Sequence, residues 1–109
     1  MGRLHGKVVI IIGAGCVGSG WGNGRAAAVI FAGEGAKIFA VDLHEEALTE
    51  TVAMVRAAGG DITTYLCDAT KADQVAAMVA ACVQKYGRVD VLLNNIGGSA
   101  AGGAVALSA

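Results

Sequence analysis

Four short apolar runs recur along the chain, and the stretches between them carry apolar residues at helical spacing. Lys7–Ile12 (K-V-V-I-I-I) is too short for a typical helix and ends at glycine, so it reads as a strand buried on both faces. Gly24–Gly33 follows with Ala27, Ile30 and Phe31 at helical spacing, stopped by Gly33 and Gly35. Lys37–Asp42 is a second strand. Glu45–Ala58 puts Leu48, Val52 and Val55 on one face of a second helix, halted by Gly59 and Gly60. Asp61–Cys67 is a third strand. Lys71–Tyr86 carries Val75, Met78, Val79, Cys82 and Tyr86 on a third helix before Gly87. Val89–Asn94 is a fourth strand, and the small, glycine-rich remainder reads as a loop or loosely ordered tail. The chain has no proline, so glycine alone punctuates it.

Strands alternating with helices over short connections predict βαβ units and a parallel sheet. Right-handed crossovers then make a doubly wound α/β sheet the expected architecture. With 109 residues there is room for one small domain. The expected division is one α/β unit over residues 1–97 and a Gly/Ala-rich tail over residues 98–109.

Composition removes several alternatives. The hydrophobic share is 55%, yet no uninterrupted apolar run approaches the ~18 residues a membrane span needs. The opening M-G-R-L-H-G-K leads into a glycine-rich stretch and has no signal-peptide pattern, so a soluble, cytoplasmic protein is expected. A net charge of −1 without a basic cluster argues against nucleic acid as a partner. Cys16, Cys67 and Cys82 are too few and too scattered for a disulfide framework or a zinc site.

The chemistry concentrates after the first strand, in I-G-A-G-C-V-G-S-G-W-G-N-G-R (Ile12–Arg25), where six of fourteen residues are glycine. A glycine-rich turn between a buried strand and a helix start suits a pyrophosphate. Backbone N–H groups can approach it, and the helix N-terminus adds partial positive charge. Gly13, Gly15 and Gly18 meet the compact G-x-G-x-x-G spacing, while Gly13, Gly22 and Gly24 form a second possible set. Asp42 ends the second strand, where an acidic side chain accepts hydrogen bonds from ribose hydroxyls and repels a 2′-phosphate. NAD is therefore favoured over NADP as cofactor. Asp42 could also cap the following helix.

Several ordered motifs together resemble the short-chain dehydrogenase/reductase (SDR) family. They are Gly13-Ala14-Gly15, Gly22-Asn23-Gly24-Arg25-Ala26, Asp42, Cys67-Asp68-Ala69-Thr70 and Asn94-Asn95-Ile96-Gly97. The family pattern is T-G-x-x-x-G-x-G, an acidic end to strand 2, a D-V-type pair after strand 3 and N-N-A-G after strand 4. Gly87–Gly97 (G-R-V-D-V-L-L-N-N-I-G) is the most specific stretch, and the resemblance runs from about Gly6 to Gly97. It implies a Rossmann-type fold of four strands and about three helices, with strand order 3-2-1-4. The first two helices would lie on one face and the third on the other. Gly13, Gly15, Gly22, Asn23 and Gly24 would serve the phosphates. Asp68 and the backbone at Ala69 would border the adenine, Asn95 would stabilise the central sheet, and Gly97 would lie near the cofactor. Asp68 also suits capping of the third helix.

The departures carry as much information. Ile12 stands for the usual Thr and Ile96 for the usual Ala. Cys16–Trp21 separates Gly15 from Gly22 where the family has one residue, a five-residue insertion that favours the Gly13, Gly22, Gly24 set. The family's catalytic Ser and Tyr-x-x-x-Lys pair have no counterpart, since Tyr65 is followed four residues on by Ala69 and Tyr86 by Asp90. Such a pair works by a nearby Lys⁺ lowering the Tyr pKa for proton exchange with substrate oxygen.

This chain alone is therefore expected to be catalytically inactive. It reads as the NAD-binding portion of an oxidoreductase acting on an alcohol/ketone pair. The alternatives are a non-catalytic assembly or binding module and a truncated fragment without independent function. One helix covering most of a four-stranded face, with strand 4 at an edge, is an association liability. A homo-oligomer or a complementing chain is the expected partner.

Overall fold

The computed structural model describes residues 4–15, 23–94 and 104–107. The elements are β1 (Val8–Ile12), α1 (Asn23–Gly33), β2 (Lys37–Asp42), α2 (Glu45–Ala57), β3 (Asp61–Leu66), α3 (Ala72–Tyr86), β4 (Val91–Asn94) and β5 (Ala104–Leu107). They form one sheet of order β3-β2-β1-β4-β5. The β1–β2, β1–β4 and β2–β3 pairings are parallel. The expected doubly wound 3-2-1-4 core is thus present.

The unbroken apolar run of β1 follows from its central place. Alternate residues of a strand point to opposite faces. Val9 and Ile11 enter one core with Ala28 and Ala32 of α1 and Leu48 and Val55 of α2. Val8, Ile10 and Ile12 enter the other with Phe39 and with Met78 and Cys82 of α3. Every residue of β1 is consequently buried. Among the described residues the first face has two helices and the second has α3, as the family resemblance implies.

Helix ends follow local chemistry. Gly87 takes φ 84° and donates its N–H to the Val83 carbonyl at 2.6 Å, closing α3 in the left-handed conformation glycine tolerates. In α2, Glu45 and Glu46 occupy the first turn and Arg56 the last, each complementing the helix dipole. Asp90, just before β4, accepts the Val8 N–H through Oδ2 at 2.8 Å while its own N–H reaches the Val8 carbonyl at 2.9 Å. Lys7, Val89 and Asp90 consequently fall outside the strands the sequence assigns them to.

Two expectations change at the C-terminal side. Ala104–Leu107, read as loop or tail, forms β5 and pairs antiparallel with β4, from Val91↔Leu107 to Asn94↔Ala104. β4 is accordingly not the sheet edge. All four β4 residues are still only half-buried, and Ile30, Leu66 and Val83 stand exposed. No described helix is long and apolar enough to cross a membrane.

Candidate functional site

The C-terminal ends of β1, β2 and β3 deliver Gly13, Asp42 and Cys67-Asp68 to one place. In an open α/β sheet, that is where ligands bind. Gly13 turns the chain out of β1 with φ 84°, a conformation that favours glycine. The N–H groups of Gly13 and Ala14 both donate to the Val41 carbonyl, at 2.7 and 3.1 Å. Gly24, in the first turn of α1, lies directly on this turn. A Cβ there would run into the Gly13 carbonyl and would stand 3.1 Å from the Ala14 Cα. Close helix-on-strand approach is the task of the last glycine in such a motif. Of the two glycine sets weighed from the sequence, the one ending at Gly24 has this contact.

Gly15 and Asp42 meet directly. The Gly15 N–H donates to Asp42 Oδ2 at 3.0 Å, while Asp42 Oδ1 accepts from the N–H groups of Leu43 at 2.8 Å and His44 at 3.4 Å. His44 provides no side-chain cap for α2, so the Asp42 carboxylate serves the entry to that helix as well as the glycine turn. One carboxylate thus ties the glycine turn to the approach to α2.

A cavity of about 280 Å³ opens beside it, lined by Ile12, Gly13, Asp42, Leu43, Cys67, Asp68, Ala69 and Thr70. Asp68 and Ala69, expected to border an adenine ring, form its far wall. Asp68 Oδ1 accepts from Thr70 Oγ1 at 2.6 Å and the Thr70 N–H at 3.0 Å. Those bonds, aided by nearby Lys71, hold its carboxyl below the usual carboxylate range. The Asp68 N–H in turn donates to Gln74 Oε1 at 2.8 Å. Asp68 therefore closes a tight turn ahead of α3; the residue flanking the helix is Lys71, which makes no side-chain cap. Burial pushes the Cys67 thiol up, and the neighbouring Asp68 and Asp73 charges add to this.

Gly13, Asp42, Asp68 and Ala69 thus line one cleft, Gly15 is joined to it through Asp42 and Gly24 through Gly13, and Asn23 opens α1. Gly22, Asn95, Gly97 and the Cys16–Trp21 insertion lie outside the described residues.

Sequence reasoning passed over Arg25 and Thr51, which back this turn. Arg25 is 1% exposed. Its Nε donates to Thr51 Oγ1 at 3.0 Å, its Nη1 to Glu50 Oε1 at 2.9 Å and its Nη2 to the Ala47 carbonyl at 3.3 Å. Thr51 Oγ1 donates onward to the Ala14 carbonyl at 3.0 Å. The signal was available. Thr51 stands three residues after Leu48 and four before Val55, on the buried face of α2, and Arg25 is the one charged residue in an otherwise small and apolar helix. Leu43, exposed beside the cleft, was also unread.

A parallel sheet of this order, with a glycine turn after β1 and an acidic residue ending β2, defines a Rossmann-type α/β protein of the dinucleotide-binding class. Comparison with known proteins narrows the class. The family model described as short chain dehydrogenase matches residues 7–109, and the chain belongs to that family. It is 41% identical over 95 residues to a 3-oxoacyl-[acyl-carrier-protein] reductase of Thermotoga maritima, covering 87% of this chain and 37% of that protein. A solved structure described as a short-chain dehydrogenase/reductase from Burkholderia xenovorans superposes with a TM-score of 0.87 at 54% identity, over 89% of this chain and 37% of that one. An NAD⁺-bound xylitol dehydrogenase superposes with a TM-score of 0.73 at 36% identity, over 83% of this chain and 33% of that one. The chain thus spans about a third of the length of these relatives, corresponding to their N-terminal portion. Proteins of this family bind nicotinamide dinucleotides.

Proposed function

We propose that this chain is the dinucleotide-binding portion of an oxidoreductase acting on an alcohol/ketone pair, with NAD preferred over NADP. The observation that carries the reading is the meeting of Asp42 with the glycine turn at the mouth of the cleft between β2 and β3. The residues present fit the adenosine end of such a cofactor. Leu43 and Ala69 offer apolar walls for a flat ring, and Asp42 offers an acceptor for a ribose hydroxyl. The N-terminus of α1 offers backbone donors to a pyrophosphate. A nicotinamide bound further along would supply the hydride acceptor or donor. Asn95 is proposed to stabilise the central sheet and Gly97 to lie near the cofactor.

The tyrosines do not take a catalytic part in this reading. Tyr86 shares a 2.8 Å hydrogen bond with Thr63, and Tyr65 packs on Phe39 with ring centroids 5.6 Å apart. Both are committed to the structure of the sheet and α3. The cytoplasm is the proposed setting, in keeping with the free, buried thiols of Cys67 and Cys82.

Calorimetric titration with NAD and NADP tests the reading. Binding of NAD, weaker binding of NADP and no turnover of secondary alcohols by this chain alone are expected. Absence of heat at millimolar NAD refutes the cofactor assignment. A second reading, an assembly module, draws on the exposed Ile30 and Val83 and the half-buried β4. It expects a dimer or larger species by equilibrium sedimentation at tens of micromolar, and a monomer there would rule it out.

A further inference from the structure

We infer that Arg25 and Thr51 act together as positioning residues for dinucleotide binding, by clamping the Ala14–Gly15 peptide; this rests on the dinucleotide reading above. A trans peptide directs its C=O and N–H in opposite senses. Here the Ala14 carbonyl accepts from Thr51 Oγ1 at 3.0 Å, and the Gly15 N–H on the other side of the same plane donates to Asp42 Oδ2 at 3.0 Å. The plane is therefore held at both ends, once by α2 and once by the residue expected to meet the ribose.

Arg25 makes the first hold directional. A hydroxyl offers one donor and can rotate to suit its surroundings. Because Arg25 Nε donates to Thr51 Oγ1 at 3.0 Å, the threonine oxygen acts there as acceptor, and its own hydrogen is left for the Ala14 carbonyl. The guanidinium is anchored in turn on Glu50 and on the Ala47 carbonyl of the same helix. Gly15 has no room to escape toward α2, since a Cβ there would collide with the Ala47 carbonyl. Thr51 is fully buried, so water does not substitute for the lost bond if the hydroxyl is removed. Release of the Ala14 carbonyl frees the peptide to rotate and carries the Gly15 N–H away from Asp42. The carboxylate and the turn would then no longer present one fixed surface to the cofactor.

The test uses Thr51→Val, which keeps the shape and removes the hydroxyl, beside Thr51→Ser, which keeps the hydroxyl. Two readouts are taken on the folded chain: the dissociation constant for NAD by calorimetry, and hydrogen exchange of the Gly15 amide by NMR without ligand. Thr51→Val is expected to weaken NAD by about three- to ten-fold, the worth of one net hydrogen bond, and to speed Gly15 exchange. Thr51→Ser should restore both to near the wild-type values. A general loss of stability without a positioning role would leave NAD affinity and Gly15 exchange unchanged at temperatures where the variant is folded. That outcome overturns the inference. If the wild type itself shows no NAD binding, the dinucleotide reading fails and the positioning role fails with it. Wild-type binding matched by Thr51→Val removes the positioning role alone. Arg25→Lys, which keeps a charge beside Glu50 but loses the fork of donors, serves with the same readouts should the valine variant not fold.

Discussion

Among the described glycines, Gly24 is the one where an added methyl group meets the closest backbone contact. A Cβ there would collide with the Gly13 carbonyl oxygen and would stand 2.8 Å from its carbon and 3.1 Å from the Ala14 Cα. All these atoms are backbone, so no side chain can rotate away and α1 must shift off the end of β1. Overpacking of this kind costs about 1–3 kcal/mol, and the rigid neighbours place it near the upper end. Against this, Gly→Ala in a helix returns about 0.5–1 kcal/mol, less in a first turn. The net expectation is a loss of about 2 kcal/mol, or a fall in Tm of roughly 8–16 °C for a domain of this size. Gly33→Ala is the control within the same helix. Nothing lies within 4 Å of a Cβ there, so the propensity term acts alone and the variant should be neutral or slightly stabilised. Thermal and urea unfolding of both variants, followed by circular dichroism, measures the contrast. NAD titration of Gly24→Ala below its Tm should show weakened binding, because the N-terminus of α1 moves with the helix. A Gly24→Ala protein as stable as Gly33→Ala, with unchanged NAD affinity, would refute the close-approach argument.

Three further outcomes are expected. Asp42→Asn should weaken NAD roughly tenfold or more, through loss of a charged acceptor, and narrow the gap between NAD and NADP in parallel titrations. Met78→Ala removes a fully buried side chain that α3 packs onto the sheet and should cost about 2–5 kcal/mol in urea unfolding, with NAD affinity of the folded fraction retained. Burial pushes the Cys82 thiol up to about 11 from its usual 9.0. A raised acid pKa stabilises the fold fully below the unfolded value and loses that contribution as pH climbs toward the folded one. Unfolding midpoints should therefore fall between pH 9 and about 11 in the wild type and change less in Cys82→Ala, and alkylation of Cys82 at pH 8 should track unfolding.

The parallel core was legible because each βαβ unit carries its own local record. Lys37–Asp42 reads as a strand from its residues alone, and Gly87 marks the end of α3 because only a flexible residue takes φ 84° easily. Ala104–Leu107 was not legible. A-V-A-L is only four residues long and half alanine, a residue depleted in strands, and its pairing depends on the free side of β4 rather than on a pattern of its own. The site divides in the same way. Asp42 and Asp68 announce themselves at strand ends. Arg25 received no role from the sequence because its partners Ala47, Glu50 and Thr51 lie more than twenty residues on and meet its guanidinium only when α2 packs against α1.

Asp42 supports the proposed preference for NAD, and the count of its hydrogen bonds makes that proposal specific. An ionised carboxylate offers about four acceptor positions and no donor. Gly15, Leu43 and His44 already direct N–H groups at it, two on Oδ1 and one on Oδ2. The remaining position on Oδ2 suits one ribose hydroxyl without breaking the turn. A 2′-phosphate brings only charge and further acceptors, so it would face an oxygen with nothing to donate. Arg25 is a poor compensating cation, because its guanidinium is buried against Glu50. Substituting Asp42 therefore removes repulsion and also unties Gly15 from β2. Relief of the first should raise NADP affinity relative to NAD, while loss of the second should lower the affinity for both. A variant at Asp42 that gained NADP binding with no loss toward NAD would show that the Gly15 bond has no part in shaping the site.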